Sequence, residues 1–266
     1  MIDHECRIVT PVLNKILKSK LNTEKILNKK IEYLFLRKKK FQNYYLDYFD
    51  KAKLVKEIFF RGLPINNKKK YFLQEEQLYE EFNKTQLKLK SHIIGKQIVQ
   101  IPNPDFVSFR EFEKNFKNLY FRNKSRIVGL ELIASWHGKN CNDSDYNKFF
   151  SFVSEMGLPL SIEVDYLFRK SLDSLHYFFR LIEKFPKIQY WLPHLGCGIF
   201  LHWNKVIDIC NVTPKLLTST TNYSDWSSFL MTKNLKKINI LFASDHPFNN
   251  FSSFKIYKDW IKLSSK

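Results

Sequence analysis

Eight short apolar runs, spread along the whole chain and separated by segments of helical period, constrain the fold more than any other feature. The runs are Ile2–Val9, Leu54–Leu63, His92–Ile101, Ile127–Ser135, Leu158–Val164, Ile188–Leu192, Leu216–Thr220 and Ile238–Ala243. They are rich in Ile, Val, Leu and Phe and almost continuously apolar, which is how strands buried on both faces of a parallel sheet read. Between them, Phe109–Leu119 sets Phe112, Phe116 and Leu119 at helical spacing, and Asp145–Met156 sets Phe149, Phe152, Val153 and Met156 on one side. Leu172–Phe185 lies between Ser171, an N-cap residue type, and Pro186, a stop. Strand–helix alternation repeated eight times predicts an α/β chain forming one domain over residues 1–266, a (β/α)8 TIM barrel. The barrel is distorted. Long basic helical segments follow the first and second strands: Pro11–Asp50, read as two helices, and the insertion-like region Asn66–Lys90.

At 266 residues the chain can bury a full core without disulfide or metal staples. No apolar run reaches 18 residues, so no membrane span is expected, and the charged start MIDHECRIVT is not the apolar core of a signal peptide. The four cysteines, Cys6, Cys141, Cys197 and Cys210, are widely spaced with no CxxC pair. They read as reduced thiols of a cytoplasmic protein rather than a zinc knuckle or disulfide framework. The net charge of +18 invites a nucleic-acid reading. Lysine supplies most of it (36 Lys against 8 Arg), alongside abundant Asn, Ile and Phe, a bias of AT-rich coding. No zinc-finger spacing or glycine-arginine repeat accompanies it, so nucleic acid is disfavoured as a partner, and the charge argues for solubility and steering.

A barrel carries its chemistry at the C-terminal ends of its strands. Those ends gather ionisable groups here: Glu5 and Arg7, Arg61, Asp105, His137, Glu163 and Asp165, His194, Asp245 and His246.

The motifs MGLPLSIEVD, PHLGCG and FASDHPF, in that order, resemble the amidohydrolase superfamily, in its branch of decarboxylases and lactonases. FFRGLP, RIVGLELIASWHG and the opening MID resemble that branch's second, fourth and first strands. The resemblance implies a site made of a first-strand HxH pair, a fifth-strand His, a sixth-strand His and an eighth-strand Asp around one divalent metal. Carried over residue by residue, the sixth-strand His is His194 and the eighth-strand Asp is Asp245. The fifth-strand His has become Glu163, and the HxH pair has become Glu5 and Arg7. In a rival register His4 and Cys6 replace HxH. Strand alternation favours the first register, in which Asp3, Glu5 and Arg7 face the interior and Ile2, His4, Cys6 and Ile8 face the helices, because three charged side chains would otherwise lie beneath the helix layer.

Asp245 in SDHP, His194 and Glu163 are the candidate catalytic groups. Arg7, Glu5, Trp136, His137 and Glu131 are candidate substrate contacts. Trp136 and His137 at the end of strand four offer an aromatic wall with a polar tip, and Glu131 is a further acid facing inward. Against these stand plainer roles: an Asx-turn for Asp245, an ion pair with Arg7 for Glu163, rim packing for Trp136.

Two function classes follow. One is an amidohydrolase-like hydrolase of C–N or C–O bonds, or a decarboxylase, acting on a small carboxylate-bearing metabolite. In one version a single divalent metal, Zn or Mn, sits in Glu5, Glu163, His194 and Asp245. In the other, which is favoured, no metal binds, because a guanidinium at a ligand position repels one, and Arg7 polarises the substrate while Asp245 and His194 move protons. The other class is a barrel that has lost its chemistry and serves as a binding or partner subunit. A homodimer is expected by analogy with such barrels.

Overall fold

A computed structural model of the chain describes residues 2–7, 55–164, 173–193, 207–213, 215–219 and 240–241. Its strands are β1 (Ile2–Arg7), β2 (Glu57–Arg61), β3 (Ile94–Gln100), β4 (Ile127–Leu132), β5 (Leu160–Ile162), β6 (Tyr190–Leu192), β7 (Leu216–Ser219) and β8 (Ile240–Leu241). They form one parallel sheet in chain order. The helices described are α1 (Lys68–Leu89), α2 (Phe109–Arg122), α3 (Asn147–Met156) and α4 (Asp173–Lys184). All eight expected strands are present among the described residues.

The sheet curls. The ring of His4 on β1 meets that of Trp191 on β6 at 5.7 Å between centroids. Five strand spacings of about 4.8 Å would hold these residues roughly 24 Å apart in a flat sheet. Phe59, Ile98 and Trp191 form the centre of the enclosed interior, joined by Ile2, Leu217 and Leu241. Between sheet and helices lies a larger core, with Phe112, Phe116, Phe149, Phe150, Phe178 and Tyr190 almost fully buried.

Local signals set the helices. Ser108 and Glu111 close a reciprocal capping box at the start of α2, which then buries Phe112 and Phe116, four residues apart. Gly157 ends α3 at φ 65°, where a side chain would be strained. Gly95 on β3 lets α1 sit close, since a Cβ there would collide with the Phe82 ring.

The helical segment expected after the second strand is present: Asn66–Lys90 holds α1, the crossover between β2 and β3, capped by Asn67 and buried along Tyr71, Leu78 and Phe82. Two expectations need correction. Strand four ends at Leu132, and Ala134–His137 form a 3-10 turn. Ile2 and His4 face the interior rather than the helices. The reason is a register shift between Asp3 and Cys6, because an extra residue in a strand inverts its alternation. Past the shift, Cys6 pairs with outward-facing Phe60 and Arg7 with Arg61. The basic segment Pro11–Asp50 lies outside the described residues.

Among the described residues no helix is long and apolar enough to cross a membrane. Cys6, Cys141 and Cys210 are buried and form no disulfide with one another, and burial pushes the thiols of Cys141 and Cys210 up to about 12. Neither is a nucleophile at neutral pH.

Candidate active site

On the inner wall, toward the C-terminal ends of β2 to β5, alternation brings Arg61, Gln100, Glu131 and Ser161 to one face. Arg61 closes the run EIFFR and is 1% exposed, while Glu131 is 0% exposed. A buried guanidinium and a buried carboxylate are each costly alone, and here they pair. Arg61 Nη1 donates to Glu131 Oε1 and, at 3.1 Å, to Ser161 Oγ. Its Nη2 donates to the carbonyl of His4. Gln100 Nε2 donates to Glu131 Oε2 and, at 3.3 Å, to the carbonyl of Gly62. Ser161 Oγ lies 3.4 Å from Glu131 Oε1. Four strands are thus tied across the interior by one network, with the backbone of β1 as its fifth member.

Below it, the His4 ring stands edge-on to Phe59 (4.8 Å) and Trp191. Burial, assisted by the Arg61 charge, lowers its pKa to about 3, so it is a neutral imidazole. Its Nδ1 has no partner.

The loops above the strands form a second layer. Asn66 Nδ2 donates to the carbonyl of Trp136 at 3.3 Å, and Asn103 Nδ2 donates to Asn66 Oδ1 at 3.3 Å. Lys139 pairs with Asp145 (2.8 Å) and Asp105 (3.0 Å). Trp136 is half-buried. His137 is buried, its Nδ1 2.7 Å from the Tyr146 hydroxyl and its Nε2 without a partner. Burial holds His137 down to about 4, with Lys139 adding to and Asp105 opposing that shift.

The sign of the resulting pH effect follows from proton binding. Between pH 4 and the ordinary value of 6.5, an unfolded chain binds a proton at His137 that the folded chain does not. Stability is therefore full above pH 6.5 and falls as pH drops through that window. At pH 4.5 the loss from His137 is on the order of 2 kcal/mol. Urea midpoints at pH 7 and pH 4.5 should diverge less in His137→Gln than in the parent chain. An unchanged difference would show that the ring is not buried neutral.

Of the residues singled out from the sequence, Glu131 lies inside the network, and Trp136 and His137 lie in the loop layer. Glu163, half-buried, follows β5 on the same parity as Ser161, and its N–H donates to the carbonyl of Leu132 at 3.0 Å. Glu5 and Arg7 are described in backbone only, with Arg7 in register with Arg61. Asp165, His194, Asp245 and His246 lie outside the described residues. Sequence reasoning counted Arg61 among the strand-end ionisable groups without giving it a role, and it did not single out Gln100 and Ser161. The available signal was an arginine ending an apolar strand, which must find a buried acid, and a lone glutamate within GLELI.

Glu131 is not placed to hold a divalent metal, and of the ligand set named from the sequence His194 and Asp245 lie outside the described residues. Both oxygens of Glu131 are engaged by donors, and a guanidinium that cannot deprotonate stands beside it. Among the described residues no three His, Cys, Asp or Glu side chains gather as a metal shell.

No family model matches the sequence, and neither does any curated protein sequence. Solved structures do match. A 5-carboxyvanillate decarboxylase from Sphingomonas paucimobilis is similar with a TM-score of 0.67 at 13% identity, over 99% of this chain and 91% of that one. A 4-oxalomesaconate hydratase from Rhodopseudomonas palustris is similar with a TM-score of 0.61 at 12% identity, over 99% and 88%. A 5-carboxyvanillate decarboxylase from Novosphingobium aromaticivorans, complexed with manganese and 4-hydroxy-3-methoxy-5-nitrobenzoic acid, has a TM-score of 0.63 at 9% identity, over 98% and 88%. At such identities the likeness is one of fold: across nearly its full length, this chain has the fold of these decarboxylases and of the hydratase.

Proposed function

We propose that the chain is a lyase of amidohydrolase type, acting on a small planar molecule through a carboxylate, at a centre built around fixed protein charges. The observation that carries this reading is the buried Arg61–Glu131 pair on the inner wall, with Arg7 in register beside Arg61. Glu131 neutralises Arg61, so Arg7 is the cation assigned to the substrate carboxylate. Asp245 and His194 are assigned proton transfer, and Glu163 is assigned to orient a substrate hydroxyl. In a decarboxylation the bond from the ring carbon to the carboxylate breaks and CO2 leaves. The electron pair stays on the ring carbon, which takes a proton from the acid. The same reading has β8 closing onto β1 in a full (β/α)8 barrel of one domain.

The neighbours' substrates support a carboxylate, and the manganese in one neighbour keeps a metal-dependent version as the competitor. A barrel without chemistry draws no support from these neighbours, whose stated activities are enzymatic. The test is CO2 release from a panel of ortho-hydroxybenzoates and carboxyvanillate analogues, with matched lactones and amides as controls. Release from at least one acid, at a rate above the uncatalysed background, is expected. Turnover confined to the lactones or amides would replace the lyase by a hydrolase.

A further inference from the structure

We propose that the end of the sheet at which the strands begin is a docking surface for an anionic lipid bilayer. In a parallel sheet every strand starts at the same end, opposite to the end that carries the candidate site. The described loops that lead into β2, β3, β4, β6 and β7 each bring an exposed cation: Lys56, Lys90, Lys124 with Arg126, Lys187 and Lys215. Among the described residues, these loops and the one before β5 hold no Asp or Glu. No ion pair among the described residues engages any of the six cations. Two of them are brought together, since Lys215 Nζ donates to the carbonyl of Lys187 at 3.4 Å.

An abundance of lysine by itself would charge both ends alike. The described loops at the opposite end, after β2, β3, β4 and β5, carry Asp105, Asp143, Asp145 and Glu163 against Lys139. The terminal turns of the helices keep the contrast. Where the strands begin they add Lys88, Arg122 and Lys184 against Glu155 and Glu183, so that end stays strongly positive. At the other end the run Lys68, Lys69 and Lys70 offsets the acids.

Apolar side chains project from the same basic end. Of six large hydrophobic residues exposed among the described residues, four are here: Leu87 in the last turn of α1 (78%), Ile94 opening β3 (57%), Phe121 in the last turn of α2 (73%) and Val212, four residues before β7 (78%). Backbone contacts gather most of them into one sector. Ile94 N donates to the carbonyl of Lys56 at 2.8 Å, Lys90 N to that of Leu87 at 3.2 Å, and Gln97 N to that of Arg126 at 2.6 Å. The Arg126 guanidinium lies 4.1 Å over the Tyr79 ring, which ties the start of β4 to α1. Apolar tips set among cations fit the boundary between anionic headgroups and acyl chains, where the cations meet lipid phosphate and the tips leave water. Nucleic acid would use the cations but has no use for three aliphatic tips, since it stacks on aromatic and guanidinium planes. A second copy seated on the same face would set like charges against each other. Docked by this end, the chain holds its candidate site away from the bilayer, so the proposal is independent of the proposed chemistry.

The test is flotation of the full chain with vesicles of phosphatidylcholine alone and of phosphatidylcholine carrying phosphatidylserine at about one lipid in three, in about 0.1 M salt. The chain should float with the serine-containing vesicles and stay behind with the neutral ones. Lys56→Gln with Lys88→Gln and Lys124→Gln should weaken that binding by about 100-fold. Leu87→Ser with Phe121→Ser should weaken it by about 10-fold. All five side chains are exposed, so both variants should melt with the parent chain. No flotation with the anionic vesicles, equal flotation with the neutral ones, or unchanged affinity in either variant would overturn the proposal. Tighter binding to duplex DNA than to the anionic vesicles, insensitive to Leu87→Ser and Phe121→Ser, would overturn it in favour of nucleic acid.

Discussion

Glu131→Leu should lower the unfolding free energy by about 3–5 kcal/mol, the largest stability loss expected from a single substitution on the inner wall. The substitution leaves the Arg61 guanidinium buried with no counter-charge, and it removes the acceptor for Gln100 and Ser161. The double variant Arg61→Met with Glu131→Leu removes both charges and should recover most of that loss. It should not recover all of it, since Gln100, Ser161 and the His4 carbonyl still lose partners, at about 1 kcal/mol or more each. Urea midpoints of the two single variants and the double variant form the cycle. A Glu131→Leu cost below about 1 kcal/mol would mean that the pair is not a buried ion pair.

Asp245→Asn should cut turnover by about 10²–10⁴-fold and leave stability nearly unchanged. Asparagine keeps the shape of the side chain and caps a turn before Pro247 as well as aspartate does. It cannot hold or accept the proton. A structural role for Asp245 therefore survives the substitution, and an acid–base role does not. Initial rates with the accepted carboxylate substrate, beside a thermal melt, separate the two. Retained turnover would reject Asp245 as an acid–base group and pass the role to His194.

The order and number of the strands are legible because a strand buried on both faces leaves a nearly unbroken apolar run, as in EIFFR and IVGLEL. The segment after β2 was legible as helical, but not as the ordinary crossover α1. Its buried face carries Gln74 and Glu75 among the hydrophobes, and its outer face is crowded with lysine and glutamate, which looks like an insertion. The facing of β1 was misread for a different reason. Alternation assumes an unbroken ladder, and the shift between Asp3 and Cys6 breaks it after three residues. At the candidate site, Glu131 was legible as an inward acid. Its pairing with Arg61, itself named only as a strand-end cation, was not, because the two are 70 residues apart and meet only in the folded sheet. Glu75 gave no sign in sequence, since its burial depends on how α1 and α2 pack over β3.

The central claim is that fixed protein charges, not a resident metal, organise the site. Its most direct test is metal content and turnover on one preparation of the full chain, by elemental analysis and by CO2 release before and after treatment with a strong chelator. The account predicts less than stoichiometric zinc and manganese, and turnover that the chelator leaves unchanged. One manganese or zinc per chain, with turnover lost to the chelator and restored by the metal, would contradict it.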